Sequence, residues 1–201
     1  YSDLPAIAAG VFTQNKVRAS SVELCEKILK QGHPVRAILI NSGNANACTG
    51  AQGLKDCQSL IADVAEHLDI AKNEVLTAST GVIGVPLPLD RMLRGIPHLT
   101  RHIAAKSWGF AADGILTTDL VPKMKSVEFE LGKKKIVVGG IAKGSGMIAP
   151  NMATMLGSLA TNATISKKAL QQALSIANDD TVGERSRSSL RWATGDNVVS
   201  I

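Results

Sequence analysis

The chain has 201 residues, is 45% hydrophobic and 19% charged, and carries a formal net charge of +5. That length and composition suffice for a packed core and exclude a disordered chain. Aromatic residues at 3% leave few stacking platforms for single-stranded nucleic acid, so the mild positive charge suits an anionic small substrate better.

In chain order, Arg36 to Ile40 is a short apolar run that ends in the polar turn Asn41-Ser42-Gly43-Asn44. This is the pattern of a buried strand opening into a loop, and the loop is a candidate site wall. From Gln52 to Leu68, Leu54, Leu60, Ile61, Val64, Ala65 and Leu68 recur with helical spacing, with Asp56, Asp63 and Glu66 between them, and predict an amphipathic helix. Glu74 to Thr77 reads as a second strand feeding the glycine-bearing turn Ser79-Thr80-Gly81. A helix is predicted to begin near Leu89-Asp90, after Pro86 and Pro88, and to be interrupted by Gly95 and Pro97. Val127 to Leu131 and Lys135 to Ile141 read as a hairpin, with Lys133 to Lys135 beside Gly132 at its solvated tip. Ser166 reads as the cap of a helix running to Ala177. Beyond Asn178 the chain is polar and irregular.

Cys25, Cys48 and Cys57 form no CxxC pair and read as buried small hydrophobes in a reducing compartment. No apolar run is long enough to cross a bilayer. Tyr1 in place of an initiator methionine reads as a processed or truncated start, from which a targeting peptide could have been removed.

The segment Gly139 to Leu156, GGIAKGSGMIAPNMATML, reads as a site, because its glycines cost backbone entropy that a packing segment has no reason to give up. Gly144 to Ala149 fits G-x-G-x-x-A, but Pro150 and Asn151 stand where a helix should run and no acidic ribose ligand follows. Lys143 precedes Gly144, the reverse of a phosphate-binding loop. His98 and His102 have i, i+4 spacing without the glutamate of a zinc-protease helix, and His33 and His67 are isolated. Asp113 and Asp119 flank Thr117-Thr118 and read as loop-capping carboxylates. Thr154 is the remaining nucleophile. Its hydroxyl needs a base, and its own amine, titrating at about 7.7–8.0 once the preceding peptide bond is cut, can serve.

Ala8 to Asn15 (AAGVFTQN), Asn41 to Gly50 (NSGNANACTG), Ser79 to Gly84 (STGVIG), Thr117 to Lys123 (TTDLVPK) and the Gly139 to Leu156 segment together resemble the ornithine acetyltransferase family. Its members are also called bifunctional arginine-biosynthesis glutamate N-acetyltransferases. The similarity runs from Ser2 to about Ala177. It implies an α/β (α+β) fold of the self-processing N-terminal-nucleophile kind, incomplete in this chain. Residues 1–153 would be an α-chain-like domain and 154–201 the start of a β chain, with 178–201 an unassigned tail.

The resemblance further implies cleavage between Ala153 and Thr154, after which Thr154 takes acetyl from N-acetylornithine and passes it to glutamate in a ping-pong scheme. Thr80 and Gly81 match the family's oxyanion pair, whose donors face the charge that develops on the tetrahedral oxygen. Thr117 and Lys143 match substrate-binding positions, with Thr118 left open as the alternative to Thr117. No metal or organic cofactor is implied, although acetyl coenzyme A is a candidate acetyl donor. The implied partners are N-acetylornithine, glutamate and the remaining β chain in an α/β heterotetramer, with neither nucleic acid nor membrane. The implied compartment is a bacterial cytoplasm, or a mitochondrial matrix or plastid in a eukaryote. Two other readings stand beside this one: a catalytically incomplete fragment or scaffold chain, and a self-processing amidase or aminopeptidase that passes the acyl group to water.

Overall fold

The computed structural model describes residues 1–144, 155–181 and 198–200. In chain order the elements are β1 (Ala9–Val11), α1 (Ser20–Gln31), β2 (Ala37–Asn41), α2 (Gly50–Leu68), β3 (Val75–Ser79) and α3 (Leu89–Arg101). They continue with α4 (Trp108–Gly114), β4 (Lys123–Leu131), β5 (Lys134–Lys143), β6 (Leu156–Thr161), α5 (Lys167–Thr181) and β7 (Val198–Ser200). Two units divide the chain, one of Tyr1–Ala6 with Asn15–Ser107 and one of Ile7–Gln14 with Trp108–Ile201. Both mix helix and strand.

In the first unit β2 and β3 run parallel, Ala37 opposite Val75 and Asn41 opposite Ser79. Parallel neighbours cannot be joined by a tight turn, and α2 supplies the crossover between them. It buries Cys57, Leu60, Ile61, Val64 and Ala65, while α1 contributes Val22, Cys25, Ile28 and Leu29. Val35, Val75 and Leu76 have no exposed surface. Each buried leucine or valine of this set contributes about 1.5–3 kcal/mol relative to exposure. Helix α3 runs on through Gly95 and Pro97, where the sequence predicts an interruption. Ile96 is buried and α3 packs against α2, which offsets the backbone hydrogen bond that proline cannot donate.

Two of the three thiols are buried as expected. Cys25 Sγ lies 3.0 Å from Thr77 O and accepts Thr77 N–H at 3.2 Å, and burial foremost pushes its pKa up to about 12. Cys48 departs from expectation. It is exposed, at φ +58°, in the loop that leads into α2.

The second unit holds a five-stranded sheet in the order β1-β7-β6-β5-β4, in which only the β6–β7 pair is parallel. Strands β4 and β5 form the predicted hairpin, with Leu131 opposite Lys134 and Gly132-Lys133 between them. Gly132 sits at φ +63°, as the first central position of a two-residue hairpin turn requires. Only Lys133 occupies the turn. Lys134 and Lys135 belong to β5, and Lys135 reaches back to Glu128. On α5, Leu170 and Leu174 form a small core with Ala9, flanked by Val11, Met155, Leu159 and Ile165. Ser166 caps α5 as expected, its Oγ accepting Ala169 N–H at 3.3 Å. Gln171 holds both the N–H and the C=O of Gly10, which fixes β1 against α5.

Strand β6 was not legible as a strand, and β7 falls in a stretch that the sequence left irregular. Helix α5 also extends to Thr181, past the expected end at Ala177. No helix among the described residues is long and apolar enough to cross a membrane.

Candidate active site

In the first unit, the Asn41 to Gly50 and Ser79 to Gly84 motifs interlock. Thr80 N–H donates to Asn41 O at 3.1 Å, Val82 N–H to Gly43 O at 3.2 Å, and Ala45 N–H to Val82 O at 2.9 Å. A Cβ on Gly81, which has φ +133°, would lie 2.5 Å from Asn44 N and 2.6 Å from Gly43 O. Only glycine fits there.

Behind this contact, three asparagines hold the loop. Asn41 Nδ2 donates to Asn44 O, and Asn44 Nδ2 donates to the carbonyls of Val85 and Pro86. Asn44 Oδ1 accepts Asn46 N–H at 2.8 Å. Asn46 is wholly buried, with Nδ2 donating to Gly53 O and contacting Cys57 Sγ while Oδ1 accepts Thr49 Oγ1–H at 2.7 Å. This scaffold determines what Thr80 and Gly81 can offer. The Thr80 amide is committed to the Asn41 carbonyl. Gly81 is exposed, and its N–H has no hydrogen-bond partner among the described residues.

In the second unit the site residues gather where β5 ends. Lys143, the last residue of β5, is 6% exposed and stands opposite Leu156, the first of β6. The glycine-rich connection therefore begins and ends on paired residues. Ala153 and Thr154 lie in that connection, outside the described residues, as do residues 145–149 of the G-x-G-x-x-A match. Part of the segment read as a site is instead sheet. Gly139 and Gly140 are in β5, and a Cβ on Gly140 would meet the Leu159 side chain and lie 2.8 Å from Ser158 O. Close strand packing, and not substrate access, accounts for that glycine.

Thr117 is exposed in the bend between α4 and β4. Two residues on, Asp119 joins this bend to the end of β5. Its Oδ1 accepts Gly144 N–H at 2.7 Å and a hydrogen bond from Lys123 Nζ, and its side chain has no exposed surface. Burial works against the charge of Asp119. The hydrogen bonds from Lys123 and Gly144, with the fields of Lys123 and Lys143, outweigh it and hold the carboxyl below the usual carboxylate range. Asp119 caps backbone, as its class suggests, but 25 residues away and not in its own loop. Asp113 plays no matching part and accepts Leu116 N–H through its main-chain carbonyl. The sequence signal for Asp119 was the i, i+4 spacing to Lys123 at the foot of a strand. For Asn44 and Asn46 it was the concentration of asparagine between Asn41 and Ala47. His98 and His102 do share one side of α3's end, with ring centroids 4.2 Å apart and His102 Nδ1 2.7 Å from His98 O.

Thr80 and Gly81 thus belong to one unit and Thr117 and Lys143 to the other. The sequence model of the ArgJ family matches residues 1–187, and the chain belongs to that family. It is 50% identical over 174 residues to the arginine biosynthesis bifunctional protein ArgJ 1 of Clostridium acetobutylicum, a match covering 87% of this chain and 42% of that one. The fold is similar to the crystal structure of the arginine biosynthesis bifunctional protein ArgJ of Bacillus halodurans. There the TM-score is 0.69 at 39% identity, over 75% of this chain and 79% of that one. It is also similar to the ornithine acetyltransferase of Mycobacterium tuberculosis complexed with ornithine, with a TM-score of 0.62 at 35% identity, over 74% and 78% of the two chains. The chain spans about half the length of the curated relatives it matches.

Proposed function

We propose that the chain is part of an arginine-pathway acetyltransferase that moves acetyl from N-acetylornithine to glutamate. The family match across residues 1–187 carries this reading, because it takes in every motif assigned to the site. Its substrate side draws support from the ornithine held by the M. tuberculosis relative.

In the proposed sequence the Thr154 hydroxyl attacks the Ala153 carbonyl and the acyl group shifts from nitrogen to oxygen; water then hydrolyses the ester, leaving Ala153 with a carboxylate and Thr154 as a chain start with a free hydroxyl and a free amine. That amine then accepts the hydroxyl proton as Thr154 attacks the acetyl carbonyl of N-acetylornithine, and ornithine leaves with the proton. Glutamate's amine collects the acetyl group in the reverse sense. The Thr80 hydroxyl and Gly81 N–H donate to the tetrahedral oxygen. Lys143 offers a compact charge to a substrate carboxylate, and Thr117 a hydroxyl at the rim. The scheme calls for no metal or organic cofactor, and acetyl coenzyme A could enter as a second acetyl donor. The remaining β chain in an α/β heterotetramer, and a bacterial cytoplasm or organelle matrix, belong to the same proposal.

Intact mass spectrometry with N-terminal sequencing tests the first step, and a fragment beginning Thr-Met-Leu-Gly is the expected result. Product analysis with labelled N-acetylornithine tests the second. Labelled N-acetylglutamate is expected, whereas free acetate with and without glutamate would assign the chemistry to an amidase. A Thr154→Ala protein that still matured and transferred acetyl would overturn the scheme.

A further inference from the structure

Asp119 is placed to do more than stabilise a turn. Its carboxylate has no exposed surface, yet it faces two lysines, Lys123 directly and Lys143 through the field that acts on its charge. Lys123 stands opposite Ala142 in the β4–β5 ladder, so the ion pair is anchored to the strand pair one residue short of Lys143. The same Oδ1 takes the N–H of Gly144, at φ +145°, where the chain leaves β5. Oδ2 is buried and has no hydrogen-bond partner among the described residues. A carboxylate held in this way costs desolvation, and the arrangement is tolerated because both a cation and an amide converge on it.

The exit direction of the chain at Gly144 is fixed by a charge-assisted bond where ladder pairing stops. The same carboxylate takes the hydrogen bond of Lys123 and lies in the field of Lys143, the residue that precedes Gly144. We propose that Asp119 is a positioning residue that sets the exit of β5 at Gly144 and keeps Lys143 aligned for a carboxylate-bearing substrate. The substrate half of this inference rests on the role given to Lys143 above, and the backbone half does not.

The test compares the wild-type chain with Asp119→Asn and Lys123→Met, using amide hydrogen exchange resolved at Gly144 and along β5, followed by the rate of cleavage before Thr154. In Asp119→Asn the Gly144 amide is expected to exchange on the order of tenfold faster or more, because a charged acceptor becomes a neutral one, while Val138 and Ile141 keep their protection. Lys123→Met should move Gly144 in the same direction. Cleavage should slow by on the order of tenfold in both variants. Unchanged exchange at Gly144, or faster exchange along all of β5 together, would overturn the positioning role and leave Asp119 an ordinary stabilising residue. Normal cleavage in Asp119→Asn despite faster exchange at Gly144 would overturn it as well. If the wild-type chain yields no fragment beginning at Thr154, the cleavage scheme fails, and the Gly144 readout still decides the part played by Asp119.

Discussion

Gly81 lies against the backbone of Gly43 so closely that a single added carbon would stand 2.2 Å from the Gly43 carbonyl carbon, far inside van der Waals contact. A Gly81→Ala protein should therefore shift the Thr80-Gly81 turn away from Asn41–Asn44. Acetyl transfer is expected to fall by on the order of a hundredfold or more, the loss typical of a displaced oxyanion donor. Gly84 provides the control. It has φ +78° but nothing within 4 Å of its position, so Gly84→Ala should cost only about 1 kcal/mol of backbone strain. Initial rates and urea melts of the two variants check this, and equal losses in both would remove the special role of the Gly81 contact.

Asn46 organises the loop from beneath, with hydrogen bonds to Gly53, Cys57 and Thr49 and no exposed surface. Asn46→Ala should destabilise the first unit by about 1–3 kcal/mol, since partners are left buried and unpaired. Gly53→Ala should act on the same contact, because a Cβ there would lie 2.5 Å from Asn46 Oδ1 and meet Thr49 Oγ1. The two substitutions share partners, so their combined effect should fall short of the sum in a double-mutant cycle.

Asp119 predicts an acid-dependent loss. Its folded pKa lies below the ordinary value of 3.8, so its contribution to stability is fully present above that value and is lost as pH falls through the folded pKa. Urea midpoints for the wild-type chain and Asp119→Asn should differ most near neutral pH and converge below about pH 3.9. A gap that stayed constant down to acid pH would show that the carboxylate charge contributes nothing.

The thiols should separate cleanly in alkylation. Burial foremost pushes the Cys25 thiol up to about 12 and the Cys57 thiol up to about 11, while Cys48 is exposed. Iodoacetamide at pH 8 should modify Cys48 alone in the folded chain and all three in urea, as read by peptide mass. Labelling of Cys25 at the rate of Cys48 would contradict the packing of α1 on β3.

These properties were unevenly legible in the sequence. Strands β2 and β3 and helices α2 and α5 announce themselves, because Ala37 to Ile40 is continuously apolar and the helices repeat their apolar residues at helical spacing. Strand β6, with the sequence LGSLAT, offers no alternation and a single β-branched residue, Thr161, and its existence depends on partners supplied by β5 and β7. Strand β7 likewise exists by pairing with β1, nearly the whole chain away. Helix α3 shows the opposite failure, since Gly95 and Pro97 are correct local signals that packing of Ile96 overrides. At the site, motif resemblance singled out Thr80, Gly81, Thr117 and Lys143. It did not give the partners of Asp119 or Asn46, whose hydrogen bonds to Gly144 and to Gly53 only a folded backbone brings within reach.

The pairing of β5 with β6 also dictates an order of events. In an uncut chain, Lys143 and Leu156 find each other as two ends of one loop, whatever the protein concentration. A cut between Ala153 and Thr154 would leave the ladder bonds standing but make their re-formation from the unfolded state an encounter between separate molecules, and so dependent on dilution. For a protein that processes itself at this bond, folding must come first, and the finished molecule would hold a shape that its two pieces regain less readily than the single chain acquired it.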